Sequence, residues 1–309
     1  MRRLFLRELV SLAEKDDRIL FLALDLGYTV VEPFAADYPD RFLNTGVCEQ
    51  NGAGIATGLA ESGYIPFLYS IAPFATARPY EFIRNGAALH KLPVRMVGVG
   101  GGFEYGHGGP THHGWDDVGL MRMLPGMTVL APADGPQACA CLRATWDLPG
   151  PVYYRLGKDD KYEAPGLQGR FNIDGVETIG DGKDVCILAL GASLRQALEA
   201  SKLIQAKNIG TTIVSVPCVS PLPSAAIGKL VGAASLAVTV EAHVESGGLG
   251  EAVSSVIAQH GLATRLLSCC ARGPWDGYCG SESYYLEKHG LDARAIADRT
   301  LEALESSTP

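Results

Sequence analysis

The chain has 309 residues, 47% hydrophobic and 19% charged, which is enough for two domains of ordinary size with sizeable cores. Its formal net charge of −8, with no basic run, argues against nonspecific attraction to nucleic acid or to anionic membranes. No stretch is long and apolar enough to span a bilayer.

The opening MRRLFLRELVSLAEKDD is interrupted by Arg7, Glu8 and Glu14. With Leu4, Phe5, Leu9 and Leu12 on one face, it reads as a helix rather than a signal peptide. RILFLALDLG follows as a buried strand ending in a Gly-marked loop, then the short strand RFLNTG and a small-residue helix over 50–61. The strand YIPFLYSI, a helix over 76–90 and the strand PVRMVGVG lead into the Gly-rich loop GGGFEYGHGGPTHHGWDD. A loop of that length in a compact domain points to function. A helix (DDVGLMRML), a strand (MTVLAP), a helix (PQACACLRATW) and a strand (PVYYRLG) close a first α/β domain, 1–165, with a largely parallel sheet.

Residues 166–183 read as a linker with a hairpin that introduces a second α/β unit, 184–309. That unit contains the strand VCILALG, the helix SLRQALEASKLIQAKN, the strands TTIVSVP and LAVTVEAH, and helices over 249–260 and 293–304. Eight cysteines form no C-x-x-C and no zinc-like spacing, as expected of reduced thiols in a cytoplasmic protein. Cys48 is a poor candidate nucleophile, because the adjacent Glu49 disfavours its thiolate. His112 and His113 are neighbours without a suitably spaced third ligand, so no metal is assigned to them.

Glu49 lies between a short strand and a helix rich in Gly and Ala, an acid at the mouth of a close-packed element. On the residues alone two meanings stand side by side. The carboxylate complements the helix dipole, or it sets a proton on a cofactor or substrate.

Four blocks carry a family likeness: GVCEQNGAGIATGLA, FATARPYEFIRN, GPTHHGWDDVGLMRMLPGMTVLAPADG and VEAHVESGGLG. Together they resemble the C-terminal half of a transketolase, most nearly the stand-alone C-terminal subunit of bacterial split transketolases, over nearly the whole chain. The resemblance implies a pyrimidine-binding domain for thiamine diphosphate followed by the smaller transketolase C-terminal domain. It places the diphosphate and Mg2+ mainly on a partner N-terminal subunit, in a heterotetramer with two copies of each chain. Gly180-Asp181-Gly182 with Asn208 matches the family's metal motif in letters only. The strand VCILAL follows these glycines instead of preceding them, so they read as a polar turn and Asn208-Ile-Gly210 as a helix end.

The resemblance also assigns roles. Glu49 would bond the pyrimidine N1′ and Phe74 would stack on the ring. Ile71 stands where the family has a second aromatic, and Asp25 lies close to the cofactor. At the substrate end His112 keeps the family's His position, while Gly108 replaces an Asp that binds a sugar hydroxyl and Gly100 replaces a His. Lys158 stands where a basic residue is expected, Arg155 resembles an arginine of deoxyxylulose-phosphate synthases, and Thr29 falls at a phosphate-contacting Ser. The space left open would take His107 or a bulkier substrate. The implied activity is transfer of a two-carbon ketol unit from a ketose to an aldehyde, with a substrate other than an ordinary pentose or hexose phosphate. The alternatives are acyl transfer from a 2-oxo acid, as in deoxyxylulose-phosphate synthase, and a non-catalytic regulatory partner.

Overall fold

The computed structural model describes residues 1–274 and 277–306, so 275–276 and 307–309 of the second expected domain lie outside the described residues. The first half runs α1 (Arg2–Ala13), β1 (Ile19–Ala23), α2 (Glu32–Asp37), β2 (Phe42–Asn44), α3 (Glu49–Glu61), β3 (Ile65–Ile71), α4 (Ala72–Thr76), α5 (Tyr80–Phe82), β4 (Arg95–Val99), α6 (Asp117–Arg122), β5 (Thr128–Leu130), α7 (Gly135–Thr145) and β6 (Val152–Leu156). The second half runs β7 (Glu177–Ile179), β8 (Val185–Ala189), α8 (Leu194–Gln205), β9 (Thr211–Ser215), β10 (Cys218–Ser220), α9 (Ser224–Gly232), β11 (Leu236–Val244), α10 (Leu249–Gln259), β12 (Arg265–Ala271), α11 (Glu282–Lys288) and α12 (Ala293–Glu305).

Two sheets result, with strand orders β10-β5-β6-β4-β3-β1-β2 and β12-β11-β8-β9-β7. Every pairing is parallel except those of β10 with β5 and β7 with β9. Strands β3, β4, β6 and β8 are buried at every residue, as parallel strands covered on both faces must be. Helix α1 buries Phe5, Leu9 and Leu12 as the periodicity predicts. Leu6 joins them, and Leu4 stays at the half-buried margin.

Besides α2, α9, α11 and β12, which were not expected, three elements depart from expectation. The helix predicted over 76–90 is broken: α4 starts earlier, α5 is a single turn, and a π-helical segment covers Ile83–Ala88. Pro79 has no N–H to continue the ladder, so the break falls at residues 77–79. No hairpin introduces the second sheet, because β7 pairs antiparallel with β9 rather than with its sequence neighbour β8. The third departure is β10, which leaves the second half of the chain to extend the first sheet beyond β5.

The two halves are also joined by polar contacts that end on VEAHVESGGLG. Within that segment Glu241 accepts hydrogen bonds from the N–H groups of Leu249 (2.6 Å) and Gly250 (2.7 Å), capping α10; the contacts across the halves come from Arg122, Arg155 and Gly119. Arg122 donates to the carbonyls of Gly247 and Gly248, and Arg155 to that of Ala242 at 2.9 Å. His243 Nε2 accepts from the Gly119 N–H at 3.1 Å, and its Nδ1–H donates to Val244 O at 2.7 Å, which fixes a neutral imidazole.

Burial holds the His243 pKa down at about 4, against an ordinary 6.5. Between those values the unfolded chain takes up the proton and the folded chain does not. Stability from this group is therefore complete above pH 6.5 and is lost as pH falls toward 4, by at most about 3 kcal/mol. Urea denaturation across pH 7.5 to 4.5 checks this: His243→Gln is expected to lose part of the acid-side slope shown by the native chain.

Candidate active site

The candidate residues gather at the carboxyl edge of the first sheet. Asp25 follows β1, Glu49 follows β2, Phe74 follows β3, Gly100 follows β4 and Lys158 follows β6. Chain order reverses between β1 and β3, and the crevice outside such a reversal is where open α/β sheets bind ligands.

Glu49 is the first residue of α3 and is 3% exposed. Its two carboxylate oxygens accept from Arg78 Nη1 at 3.0 and 3.1 Å. The Arg78 guanidinium carbon lies 4.1 Å from the centre of the Phe74 ring, and the His112 and Phe74 rings meet edge-to-face with their centres 5.0 Å apart. Carboxylate, guanidinium, phenyl ring and imidazole thus form one connected group. His112 Nδ1 is 3.0 Å from Thr111 Oγ1, which orients the imidazole. Ile71, at the end of β3, is buried and supplies apolar wall.

Asp25 has φ +52°, and its carboxylate accepts from Asn44 Nδ2 at 3.1 Å, while Asn44 Oδ1 accepts from the N–H groups of Asp25 and Gly46. Asn44 therefore sets the shape of the loop that leads to Glu49. Thr29, with φ +70°, is exposed, and its hydroxyl accepts from Arg3 Nη2 at 3.3 Å.

The substrate end is shaped by two glycines. At Gly108 a Cβ would stand 2.6 Å from His112 Cγ, so only glycine leaves the imidazole where it is. At Gly100 (φ +75°) a Cβ would fall 2.2 Å from Tyr105 Cδ2. Tyr105, not His107, thus covers the space at Gly100; His107 is exposed on a short 3-10 turn. Lys158 Nζ lies 4.0 Å over the Tyr105 ring and donates to Glu104 O at 3.0 Å.

Arg155 has a different setting. Its Nε donates to Asp117 Oδ2 at 3.0 Å, and its Nη2 donates to Gly114 O at 2.7 Å as well as to Ala242 O. Tyr153 OH adds a 2.6 Å bond to the same Asp117 oxygen. The guanidinium is buried in framework contacts, apart from the Glu49 group.

The Gly180–Gly182 turn leads from β7 into β8. There the Gly182 N–H donates to Thr211 O at 3.3 Å and Asp184 Oδ2 accepts from Gly210 N at 2.6 Å. Asn208 takes φ +60° just past α8, as at a helix end. These residues brace the start of the second sheet. Among the described residues no cluster of three or more metal-ligating side chains occurs.

The chain matches the family Transketolase, pyrimidine binding domain, over residues 1–162, and Transketolase, C-terminal domain, over residues 174–296. It belongs to the transketolase family. A putative transketolase C-terminal section from Methanocaldococcus jannaschii is 35% identical over 99% of this chain and 96% of that protein. A subunit of an apulose-4-phosphate transketolase from Phocaeicola vulgatus is 31% identical over 97% of this chain and 96% of that protein. Among solved structures, a split gene transketolase described as an inactive beta4 tetramer superposes with a TM-score of 0.89 at 33% identity, covering 98% of each chain. The α/β fold, the transketolase-type transferase class and the split-subunit architecture expected from the sequence are those of the family. The family implies dependence on thiamine diphosphate. No helix among the described residues is long and apolar enough to cross a membrane.

Arg78, Tyr105 and Asn44 went unremarked in the sequence. Arg78 had a local signal, standing four residues after Phe74 in FATAR, the spacing at which helical side chains meet. Tyr105 and Asn44 had none: Lys158 reaches Tyr105 from the end of β6, and Asp25 reaches Asn44 from the end of β1.

Proposed function

We propose that this chain is the pyrimidine-binding subunit of a two-component cytoplasmic transketolase, moving a two-carbon ketol unit from a ketose donor to an aldehyde acceptor. The observation that carries the reading is the group Glu49–Arg78–Phe74–His112 at the switch point of the first sheet. A planar nitrogen cation already lies there, bonded to a buried carboxylate and seated on a phenyl face, so the donor set fits an aminopyrimidine. Thiamine diphosphate, when bound, supplies the nucleophilic carbon and the amino group that serves it as base.

Glu49 holds a hydrogen bond at the pyrimidine N1′. Phe74 and Ile71 provide the apolar bed, and Asp25 shapes the loop beside it. His112 faces the reacting oxygens of the substrate. Lys158, only part-buried, is the basic residue we assign to an anionic substrate end. Thr29 and His107 stand at the rim, Gly108 frees the imidazole, and Arg155 serves the framework. The diphosphate and Mg2+ belong to the partner subunit carrying the diphosphate-binding domain, in a heterotetramer with two copies of each chain.

Tyr105 over Gly100 narrows the funnel where a family imidazole is missing, and the carboxylate expected at Gly108 is absent. The donor or acceptor is therefore not an ordinary pentose or hexose phosphate, and a relative named for apulose 4-phosphate is in keeping with that. The test is reconstitution with the partner subunit, thiamine diphosphate and Mg2+ against a panel of ketoses and aldehydes. Cofactor-dependent ketol transfer is expected, with a modified or branched sugar preferred. Equal turnover of xylulose 5-phosphate and ribose 5-phosphate would overturn the substrate assignment. Carbon dioxide release from pyruvate would favour 2-oxo-acid chemistry instead.

A further inference from the structure

The Arg78 guanidinium makes two kinds of contact, bonds from Nη1 to both oxygens of Glu49 and a cation–π contact with its central carbon 4.1 Å from the centre of the Phe74 ring. These are the contacts that the proposed function gives to the aminopyrimidine ring. A guanidinium is planar, delocalised and rich in N–H donors, so it copies the shape and polarity of that ring closely. The two cannot share the slot. The exposures of the partners differ sharply: the Arg78 side chain is 45% exposed and that of Glu49 is 4%. The arginine has a route to solvent and the carboxylate has none. Arg78 also stands in the break between α4 and α5, immediately before Pro79, outside any continuous helix.

We infer that Arg78 is an internal occupant of the pyrimidine slot, which neutralises Glu49 and covers Phe74 in the unloaded chain and swings outward when the cofactor enters. The inference rests on the roles proposed above for Glu49 and Phe74. Its physical basis is that a buried carboxylate left bare is costly, so a chain that must fold before it meets its partner keeps an internal counter-ion in place. The same contact then competes with the cofactor. Binding is weakened by the fraction of chains in which the slot is already filled, about tenfold if the closed arrangement outweighs the open one by roughly ten to one.

The test is calorimetric titration of thiamine diphosphate, with Mg2+, into the complex of this chain with its partner subunit. Arg78→Gln is expected to tighten the cofactor Kd by about tenfold. It should also lower the melting temperature of the unloaded chain while leaving that of the loaded complex nearly unchanged. A Kd equal to or weaker than that of the native complex overturns the inference. Should Arg78→Gln fail to fold by circular dichroism, Arg78→Lys carries the same prediction with a smaller tightening, since an ammonium that bonds Glu49 has no planar remainder to cover Phe74, and the same result overturns it. Glu49→Gln in the same titration separates the two readings. A weakened Kd there, with no tightening in the Arg78 variants, removes this inference alone. An unchanged Kd there removes the assignment of Glu49 and this inference with it.

Discussion

In the assembled enzyme, Glu49→Gln is expected to lower kcat by about 10²- to 10⁴-fold, the range of a lost general acid–base contribution. The substitution keeps the size of the side chain and leaves an amide oxygen for Arg78, so the start of α3 and its packing should be preserved. What changes is the group offered to the pyrimidine N1′: an amide neither gives up nor takes up a proton near neutral pH and carries no charge to hold one. Steady-state turnover with saturating cofactor, beside circular dichroism to verify the fold, checks the prediction. Near-normal turnover would remove Glu49 from the chemistry and leave it the helix-dipole role that the sequence also allowed.

The parts of this fold that were legible are those whose physics is local. The runs IPFLYSI and RMVGV are apolar apart from Ser70 and Arg95, because both faces of a central parallel strand are covered, and they appear as β3 and β4. Strands β7 and β10 are three residues each at sheet edges, too short to show a period, and each pairs with a strand distant in sequence or in the other half. Strand β12 (RLLSCCA) has neither alternation nor β-branched residues, and its place is set only by pairing with β11. The site divides the same way. Glu49 was marked by the small-residue helix behind it. The bond between Glu49 and Arg78 spans 29 residues and the whole of β3, so no spacing rule reports it. Arg155 could be placed by family position, but its burial against Asp117, Gly114 and Ala242 depends on three other segments meeting around β6.

Asp117→Ala is expected to destabilise the chain by about 3–5 kcal/mol, the usual cost of removing one member of a buried ion pair. Asp117 has no exposed surface, and its Oδ2 receives both the Arg155 Nε–H and the Tyr153 hydroxyl, donors from two residues on the same face of β6. Truncation leaves a guanidinium and a phenol buried with no acceptor between them. Arg155 also bonds the carbonyls of Gly114 and Ala242, so its displacement would loosen the Gly-rich loop and the seam between the two sheets together. Asp117→Asn, which keeps an acceptor oxygen, should lose less. The double variant Asp117→Ala with Arg155→Met should recover much of the loss, because it removes the stranded charge along with its partner. Urea denaturation of the native chain, Asp117→Ala, Arg155→Met and the double variant measures the coupling directly. If the pair is framework, the loss appears in stability and the KM for substrate in the assembled enzyme stays nearly constant in Asp117→Asn. If Arg155 instead reaches the substrate, Arg155→Met should raise KM severalfold while Asp117→Ala costs less than about 1 kcal/mol, the worth of an exposed pair.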